Sequence, residues 1–379
     1  MMKLRHDHAI LVLTLALLVV GLGMVFSASH DLARARYGDP FFFVKRQLFR
    51  AGFGMLLLLL ASQWDYRFWQ RHARLLLLVS LVLLAVVLLF NAVRGSRSWL
   101  PVVGQPVEFA RLALVFYLAA EVVRLGGRVG SLRHGFLPLV GVIGVVLVLV
   151  LKQPDFGSAM ALCLISLTLL YVGGVRLVHL LGSGALLFAA AAFMALHRPH
   201  VRTRLLGFLH PDAMAAGGAY QSLQSVLSIG SGGPVGKGLG QGMAKYGYLP
   251  DPHTDFIFSV LGEELGFIGC AVVLLLFLLL VARAIRVARA LEDDRFASLL
   301  AAGIGMSLFW YVVVNVMVAI RLFPVTGLPL PLVSYGGSAL VSHLFALGIL
   351  RNLARQAEPL PGRRCRWPET QDCALEGAL

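Results

Sequence analysis

The sequence predicts an all-α integral membrane protein with ten transmembrane helices and a large extracytoplasmic loop between the seventh and eighth. Hydrophobic residues make up 58% of the 379 residues and charged residues only 14%, whereas a soluble chain carries about 25% charged residues. Apolar runs of membrane-spanning length recur along the whole chain. These two observations argue against a chain built from soluble domains.

The predicted spans follow the apolar runs in order. They are 8–28, 45–63, 73–92, 107–125, 135–152, 157–174, 177–196, 255–284, 297–320 and 334–354. The first run resembles a signal peptide because SAS follows it, but an uncleaved helix is simpler in a chain with many later spans. Residues 1–355 then form one membrane domain, and we expect 356–379 to be a short, polar, disordered cytoplasmic tail.

The distribution of basic residues suggests an orientation. A net charge of +14 would suggest nucleic-acid binding in a soluble protein. Here the basic residues lie mostly in loops between spans, which favours membrane lipids as partners and no nucleic acid. The basic loops 67–74, 124–134 and 283–295 fall on the side of both termini, which we predict to be cytoplasmic. The outer side also keeps many basic residues, which fits either head-group anchoring or a surface that binds an anionic group.

The longest predicted loop, 197–254, lies on the outer side, and structureless loops of this length are usually functional. It contains the glycine-rich stretch SIGSGGPVGKGLGQG at 228–242. This is not a P-loop, because Ser231 replaces the first glycine and Gly238 follows Lys237 where Ser or Thr is required. The stretch is either a mobile loop or a segment whose backbone N–H groups wrap a phosphate beside Lys237 and Lys245.

Several carboxylates lie in PDPHTDFIFSVLGEELGFIG, 250–269. Thr254 is predicted to cap a helix that starts at Asp255, which places this acid in the first turn. An acid there is stabilised by the helix dipole, and a catalytic carboxylate at the membrane surface would look the same. Glu263 and Glu264 lie about 12 Å further along the helix. Ionisable groups at that depth indicate a functional site by default.

Three other segments carry polar groups to the same predicted side. QPVEFAR, 105–111, places Glu108 and Arg111 on one helix face, where a buried ion pair can be purely structural. KQPDFGS, 152–158, breaks the chain, and Asp155 can cap the next helix. LPLPLVSYGGSA, 328–339, is an irregular segment that leads into the last span. This convergence is typical of an outer-leaflet active site or a transport pathway.

At these residues the chain resembles the SEDS family (shape, elongation, division and sporulation). The matching segments are GSRSWL (95–100), QPVEFAR, QPDFGSA (153–159), GAYQSLQSVLSIGSGG (218–233), GKGLGQG (236–242), YLPDPHTDFIFSVLGEELGFIG (248–269) and PVTGLPLPLVSYGGSA (324–339). The wording of PVTGLPLP and HTDFIF is more similar to the RodA branch than to the FtsW branch. Val107, Arg111, Met317 and Arg321 depart from the family's usual Ser, Lys and glycines.

The resemblance implies a ten-span peptidoglycan glycosyltransferase of the bacterial inner (plasma) membrane. Such an enzyme polymerises lipid II, a polyprenyl-pyrophosphate-linked disaccharide-pentapeptide, into β-1,4 glycan strands at the outer leaflet, here for cell elongation and rod shape. The resemblance also implies a class B penicillin-binding protein as the transpeptidase partner. It places an essential Asp at the position of Asp255.

The implied reaction needs a base and an anion-stabilising group. The attacking sugar hydroxyl must lose a proton, and the leaving pyrophosphate must be stabilised by cations or backbone donors. Asp255 is the hypothesised base, or else positions the acceptor hydroxyl or a divalent cation such as Mg²⁺ or Mn²⁺. The substrate-binding candidates are Lys152, Arg111, Lys237, Lys245, Glu108 as the group that orients Arg111, and Asp155. Glu263 and Ser334 are assigned to a structural polar network.

Two alternatives from other functional classes remain. A flippase for the same lipid-linked precursor would also use intramembrane acids and broken helices, but the two halves of the chain show no convincing repeat. A non-catalytic scaffold that docks a penicillin-binding protein would tolerate changes at Asp255.

Overall fold

A computed structural model describes residues 6–90, 98–100, 104–185, 208 and 218–357 of the chain. Within these residues every regular element is a helix, and the β-type pairing is a single isolated bridge between Leu100 and Gly104. The predicted all-α fold class is therefore confirmed for the described part of the chain.

The helices are numbered here in chain order. The first six are α1 (His6–Tyr37), α2 (Phe42–Ala61), α3 (Arg67–Val86), α4 (Pro106–Leu125), α5 (Leu137–Lys152) and α6 (Phe156–Val172). A 3₁₀ turn (Val87–Leu89) extends α3, and a π-helical turn (Leu132–Phe136) leads into α5. The others are α7 (177–185 in the described part), α8 (Gly218–Gly232), α9 (Ile257–Ala290), α10 (Arg295–Ala319) and α11 (Gly337–Ala357).

The prediction of a multi-pass membrane protein is confirmed. Six helices in the described part are long and apolar enough to cross a bilayer: α1, α3, α5 with its π-helical turn, α9, α10 and α11. The apolar α6 is shorter. Helices α2 and α4 have 20 residues each but carry several charged side chains. The second half of the predicted seventh span and the tail from 358 lie outside the described residues.

Helices α10 and α11 lie in the centre of the bundle together with α4. In the most apolar window of α10 and of α11, 72% of the residues are buried, against 28% in α3 and 33% in α9. Of the 20 residues of α4, 14 are buried, including the charged Glu108 and Arg111. The outer helices can present apolar faces to lipid, whereas the central ones need internal partners for their polar groups.

The two ends of the bundle are distinct. At one end Arg355 of α11 donates to Asp7 of α1 at 3.2 Å, and the Tyr66 hydroxyl donates to Asp294 at 2.6 Å. Burial, reinforced by this carboxylate, raises the pKa of the Tyr66 phenol. We call this the terminal end, and the opposite end, which holds Asp255, the site end.

Candidate active site

The four segments singled out from the sequence meet at the site end. The Gln105 side chain donates through Nε2 to Asp155 Oδ2 at 3.2 Å, and its backbone N–H donates to Ser338 Oγ at 3.0 Å. The backbone N–H of Tyr335 donates to the carbonyl oxygen of His253 at 2.9 Å. The Asn315 side chain donates to the carbonyl oxygens of both Asp255 and Leu328, at 2.9 and 2.8 Å. The predicted convergence of these segments is confirmed.

Asp255 lies in the turn before α9 and is half-buried. The N-cap of α9 is Phe256, which makes no side-chain capping bond. The Thr254 hydroxyl instead donates to the carbonyl oxygen of Asp251 at 3.1 Å. The helix begins only at Ile257, after a turn over 252–256, so the predictions that Thr254 caps the helix and that Asp255 sits in its first turn are wrong.

The segment that passes beside Asp255 depends on two glycines. A Cβ on Gly327, whose φ is +79°, would lie 3.7 Å from Asp255 Oδ2. A Cβ on Gly157 would overlap the carbonyl of Thr326. These glycines allow residues 326 and 327 to pass between the start of α6 and Asp255. The Thr326 Oγ1 atom is buried there and has no hydrogen-bond partner among the described residues.

Asp155 caps α6 as predicted. Its Oδ1 accepts the backbone N–H of Ser158 at 3.0 Å, and its Oδ2 accepts the Ser158 hydroxyl at 2.8 Å. Together with the bond from Gln105, these contacts let Asp155 link the start of α4 to the start of α6. Ser334 also bonds within the fold, since its Oγ accepts the backbone N–H of Leu330 at 2.8 Å.

The predicted Glu108–Arg111 pair is confirmed, and it is enclosed. Arg111 Nη2 lies 3.1 Å from Glu108 Oε2, and the two residues are 1% and 3% exposed. The guanidinium also donates to the hydroxyls of Ser307 and Ser342 and lies 4.9 Å from the ring centre of Tyr311. The Tyr311 hydroxyl donates to Glu108 at 3.1 Å. A buried ion pair is stable only if its remaining donors and acceptors are also hydrogen-bonded. The charge and the donors of Arg111 are therefore used by contacts inside the protein.

The glycine-rich stretch fills a break in α9. Gly266 has φ +67° and ψ −167°, which interrupts the helix. The interruption frees the backbone carbonyls of Glu263 and Glu264, and these accept the N–H groups of Lys237 and Gly238 at 3.0 Å each. The stretch is therefore bonded into the fold, and the mobile-loop interpretation is wrong for this part of it.

Glu263 is wrapped by the same stretch and by the two residues that follow it. Its Oε1 accepts Lys237 Nζ at 2.7 Å and the backbone N–H of Met243 at 2.8 Å. Its Oε2 accepts the backbone N–H of Ala244 at 3.0 Å. Backbone N–H groups do surround an anion here, but that anion is the protein's own carboxylate.

Glu264 is paired on the other side of α9. Lys245 Nζ lies 3.2 Å from its Oε1, and the Ser27 hydroxyl of α1 lies 2.6 Å from both carboxylate oxygens. Both members of the ion pair are buried. The predicted polar network around Glu263 is thus present and extends to α1. It occupies Lys237 and Lys245, the two lysines that the sequence suggested for a phosphate.

A groove of about 760 Å³ runs between α2, α3, α4 and α11. Along α4 it extends from Gln105 to Phe116, roughly 16 Å at helical rise. Its walls are mostly apolar, for example Phe53, Leu76, Leu83, Phe109 and Phe345. Its polar groups are Arg50, Gln105, Glu108, Ser338 and Ser342. This shape suits an amphiphile with a long apolar chain and a polar head.

The profile of the FtsW, RodA and SpoVE family, described as cell cycle proteins, matches residues 8–359. The chain belongs to this family, the SEDS family.

The relatives and solved structures agree with this assignment. A probable peptidoglycan glycosyltransferase FtsW of Trichlorobacter lovleyi is 41% identical over 95% of this SEDS chain and 96% of its own. Stage V sporulation protein E of Bacillus subtilis is 38% identical over 93% and 98%. A chain from a study of polymerization and crosslinking by a peptidoglycan synthase complex gives a TM-score of 0.74 at 32% identity over 92% and 97%. Thermus thermophilus rod shape determining protein RodA gives 0.67 at 30% identity over 92% and 97%.

Three polar side chains of the SEDS site were not predicted from the sequence: Arg50, Asn315 and Thr326. Arg50 lies 5.1 Å from the ring centre of Tyr335 and has no ion pair among the described residues. Arg50 lies inside the predicted span 45–63, and a charged residue within a span indicates a functional site, so the sequence alone could have identified it. Of the four predicted pyrophosphate contacts, only the exposed Lys152 has no ion pair within the described part of the chain.

No three His, Cys, Asp or Glu side chains lie close enough to hold a metal ion in the part of the chain that the structure describes. A divalent cation beside Asp255 would therefore take its other ligands from backbone, water or substrate.

Proposed function

We propose that this SEDS protein is a peptidoglycan glycosyltransferase that polymerises lipid II into β-1,4 glycan strands. One observation carries the proposal: the segments that form the polar end of the apolar groove also hold Asp255. Gln105 bonds Asp155, the start of α6 packs on Thr326, and the next residue lies beside Asp255. A lipid-linked sugar needs such a combination, a lateral groove for its chain and a carboxylate at its head.

The chemistry assigns a role to each group. The acceptor sugar hydroxyl attacks the anomeric carbon of the donor, and the bond to the pyrophosphate oxygen breaks. Asp255 takes the hydroxyl proton as the general base. Lys152 and Arg50, which form no ion pair with the described residues, stabilise the negative charge on the leaving pyrophosphate. A Mg²⁺ or Mn²⁺ ion bound at Asp255 would add to this charge stabilisation.

The remaining candidates act by supporting the site. Asp155 holds α6 against α4, and Glu108 with Arg111 holds α4 in the centre of the bundle. Lys237 and Lys245 hold the glycine-rich stretch on α9 through the two glutamates. In this proposal the chain crosses the bacterial inner membrane ten times, both termini are cytoplasmic, and the site end faces outward.

The cellular role is proposed from a comparison of identities. Two short segments, PVTGLPLP and HTDFIF, favour elongation and rod shape. The FtsW relative is 41% identical over 367 residues and the RodA structure 30%, so the whole chain favours division. Depletion of the protein separates the two roles, since rounded cells would indicate elongation and filaments without septa would indicate division.

A class B penicillin-binding protein is the proposed partner. The similar chain from a peptidoglycan synthase complex supports it, because that complex coordinates polymerization and crosslinking. A strand that is polymerised at the membrane surface would be crosslinked most directly by a transpeptidase bound beside the polymerase.

The flippase alternative has less support. A transport pathway needs intramembrane acids that a substrate or ion can reach. Glu263 and Glu264 are each enclosed by an ion pair and further donors. The carbonyls freed by the break in α9 are also occupied, so they are not available to coordinate a transported ion.

The test uses purified full-length protein in detergent with lipid II, with and without the penicillin-binding protein and Mg²⁺ or Mn²⁺. We expect glycan polymer on a gel from wild type and a loss of about 10²- to 10⁴-fold in Asp255→Asn. The matched control is Asp251→Asn in the same turn, which keeps a residue that tolerates its φ of +48°, and it should retain activity.

Near-normal polymer from Asp255→Asn would refute the assignment of the base. If wild type made no polymer under any condition but moved lipid II across liposome membranes, the flippase would replace the polymerase.

A further inference from the structure

A second pocket lies at the terminal end, far along the bundle from Asp255. It has a volume of about 460 Å³ and lies between α3, α4 and α5. Arg74 is two turns from the start of α3, and Arg124 is in the last turn of α4. The pocket is lined by Arg74, Leu77, Leu78, Leu81, Tyr117, Glu121, Arg124, Val142 and Val145.

The polar part of this pocket is built around one buried carboxylate. The Glu121 side chain is 5% exposed and accepts Arg74 Nε and Arg124 Nε at 2.6 Å each. The two arginine side chains are 63% and 62% exposed. Two cations around one anion leave an uncompensated positive charge at the pocket.

The arginines also keep unused donors. Each contacts Glu121 through Nε alone, so the terminal Nη groups of Arg74 and Arg124 make no hydrogen bond with the described residues. The Tyr117 hydroxyl, which lines the same pocket, has no hydrogen-bond partner there either. An ordinary exposed ion pair is loosely held. Here the buried carboxylate fixes both guanidinium groups and leaves their planar forks free, which is the donor geometry that phosphate prefers.

The remaining walls are apolar and partly exposed. The exposed fractions of Leu78 and Val145 are 58% and 52%, so this part of the pocket opens sideways toward the bilayer. An occupant must therefore combine an anionic head with an apolar chain. Basic pockets between transmembrane helices bind the head groups of anionic lipids in this way.

We propose that the pocket between α3, α4 and α5 binds an anionic phospholipid. Arg74, Arg124 and the Tyr117 hydroxyl hold its phosphate, and one acyl chain lies along Leu78 and Val145. Glu121 orients the arginines. This site is independent of the proposed glycosyltransferase activity, because none of its residues contributes to the site end.

The test is native mass spectrometry of the purified full-length protein, titrated with phosphatidylglycerol or with phosphatidylcholine of the same acyl chains. We expect wild type to retain phosphatidylglycerol preferentially. Arg74→Gln/Arg124→Gln should weaken its binding about thirtyfold, since each of the two basic residues near an anionic lipid contributes about 1 kcal/mol. The control Arg71→Gln/Arg128→Gln removes the same charge from exposed positions at the same end and should leave binding unchanged.

A second variant tests the apolar part without changing charge. Val145→Trp fills the pocket and should also abolish the preference, and the deacylated head group glycerophosphoglycerol should not displace the lipid. Equal weakening by both double variants would mean general electrostatic attraction and would overturn the proposal. So would unchanged binding in Val145→Trp, or equal retention of the two lipids by wild type. If the double glutamine variant fails to fold, Val145→Trp carries the test.

Discussion

Two acidic regions on either side of the start of α9 are built in opposite ways. Asp255 is half-buried in a non-helical turn, beside a Thr326 hydroxyl that has no partner among the described residues. Glu263 and Glu264, two turns further along, are enclosed, and each has a lysine and additional donors. The difference shows that the depth of an acid in the membrane does not by itself identify a catalytic residue. An acid whose oxygens are all bonded inside the protein stabilises the fold, whereas the half-buried Asp255 keeps part of its surface accessible to a substrate.

The largest expected effect on stability comes from removing the enclosed acid. Glu264→Ala leaves the Lys245 ammonium buried beside Ser27 without its carboxylate. Breaking a buried pair from one side costs about 3–5 kcal/mol, so the purified protein should unfold at a clearly lower temperature in detergent. The activity of the molecules that remain folded should change little, in contrast to Asp255→Asn.

The double variant Glu264→Ala/Lys245→Met is the control for that interpretation. It removes the uncompensated charge as well, so it should recover part of the lost stability. No recovery would mean that the carboxylate acts through Ser27 or the backbone and that the ion pair is not the stabilising unit.

The next largest effect comes from alanine substitutions in the glycine-rich stretch, which measure how closely it packs against α9. Gly236 has φ +85°, and a Cβ there would overlap the carbonyl oxygen of Glu264. Gly240 has φ +81°, but a Cβ there would meet nothing within 4 Å. Both alanine variants strain the backbone by about 1–2 kcal/mol, and only Gly236→Ala adds an overlap that costs about 1–3 kcal/mol more.

Thermal unfolding of the two alanine variants side by side measures that difference, because the backbone strain is common to both. Equal unfolding temperatures would show that the stretch can move away from α9. The glycine-rich stretch would then not keep Glu263 and Glu264 enclosed, and their burial could not explain why they act differently from Asp255.

The sequence predicted best what depends on neighbours along the chain. Glu108 and Arg111 are three residues apart on one helix, so their pairing follows from helical geometry. The Asp155 cap follows from the break before α6 in the same way. Thr254 failed as a cap because a turn over 252–256 moves the start of the helix to Ile257. The wrapping of Glu263 could not be predicted, since it joins residues 26 apart in sequence through a helix break at Gly266.

The smallest expected effect comes from Thr326, the residue beside Asp255. Thr326→Val has nearly the same shape and removes a hydroxyl that makes no hydrogen bond with the described residues. Removing such an unsatisfied group is close to neutral for stability or slightly favourable, so the unfolding temperature should stay the same or rise. The buried hydroxyl reaches lipid II only if substrate binding moves the segment that holds it. In that case glycan synthesis should fall about tenfold, the value of one hydrogen bond near 1.4 kcal/mol. Thr326→Ser, which keeps the hydroxyl, should retain most of the activity. Equal activity in the valine and serine variants would show that the hydroxyl does not touch the substrate, and Asp255 would then act without this neighbour.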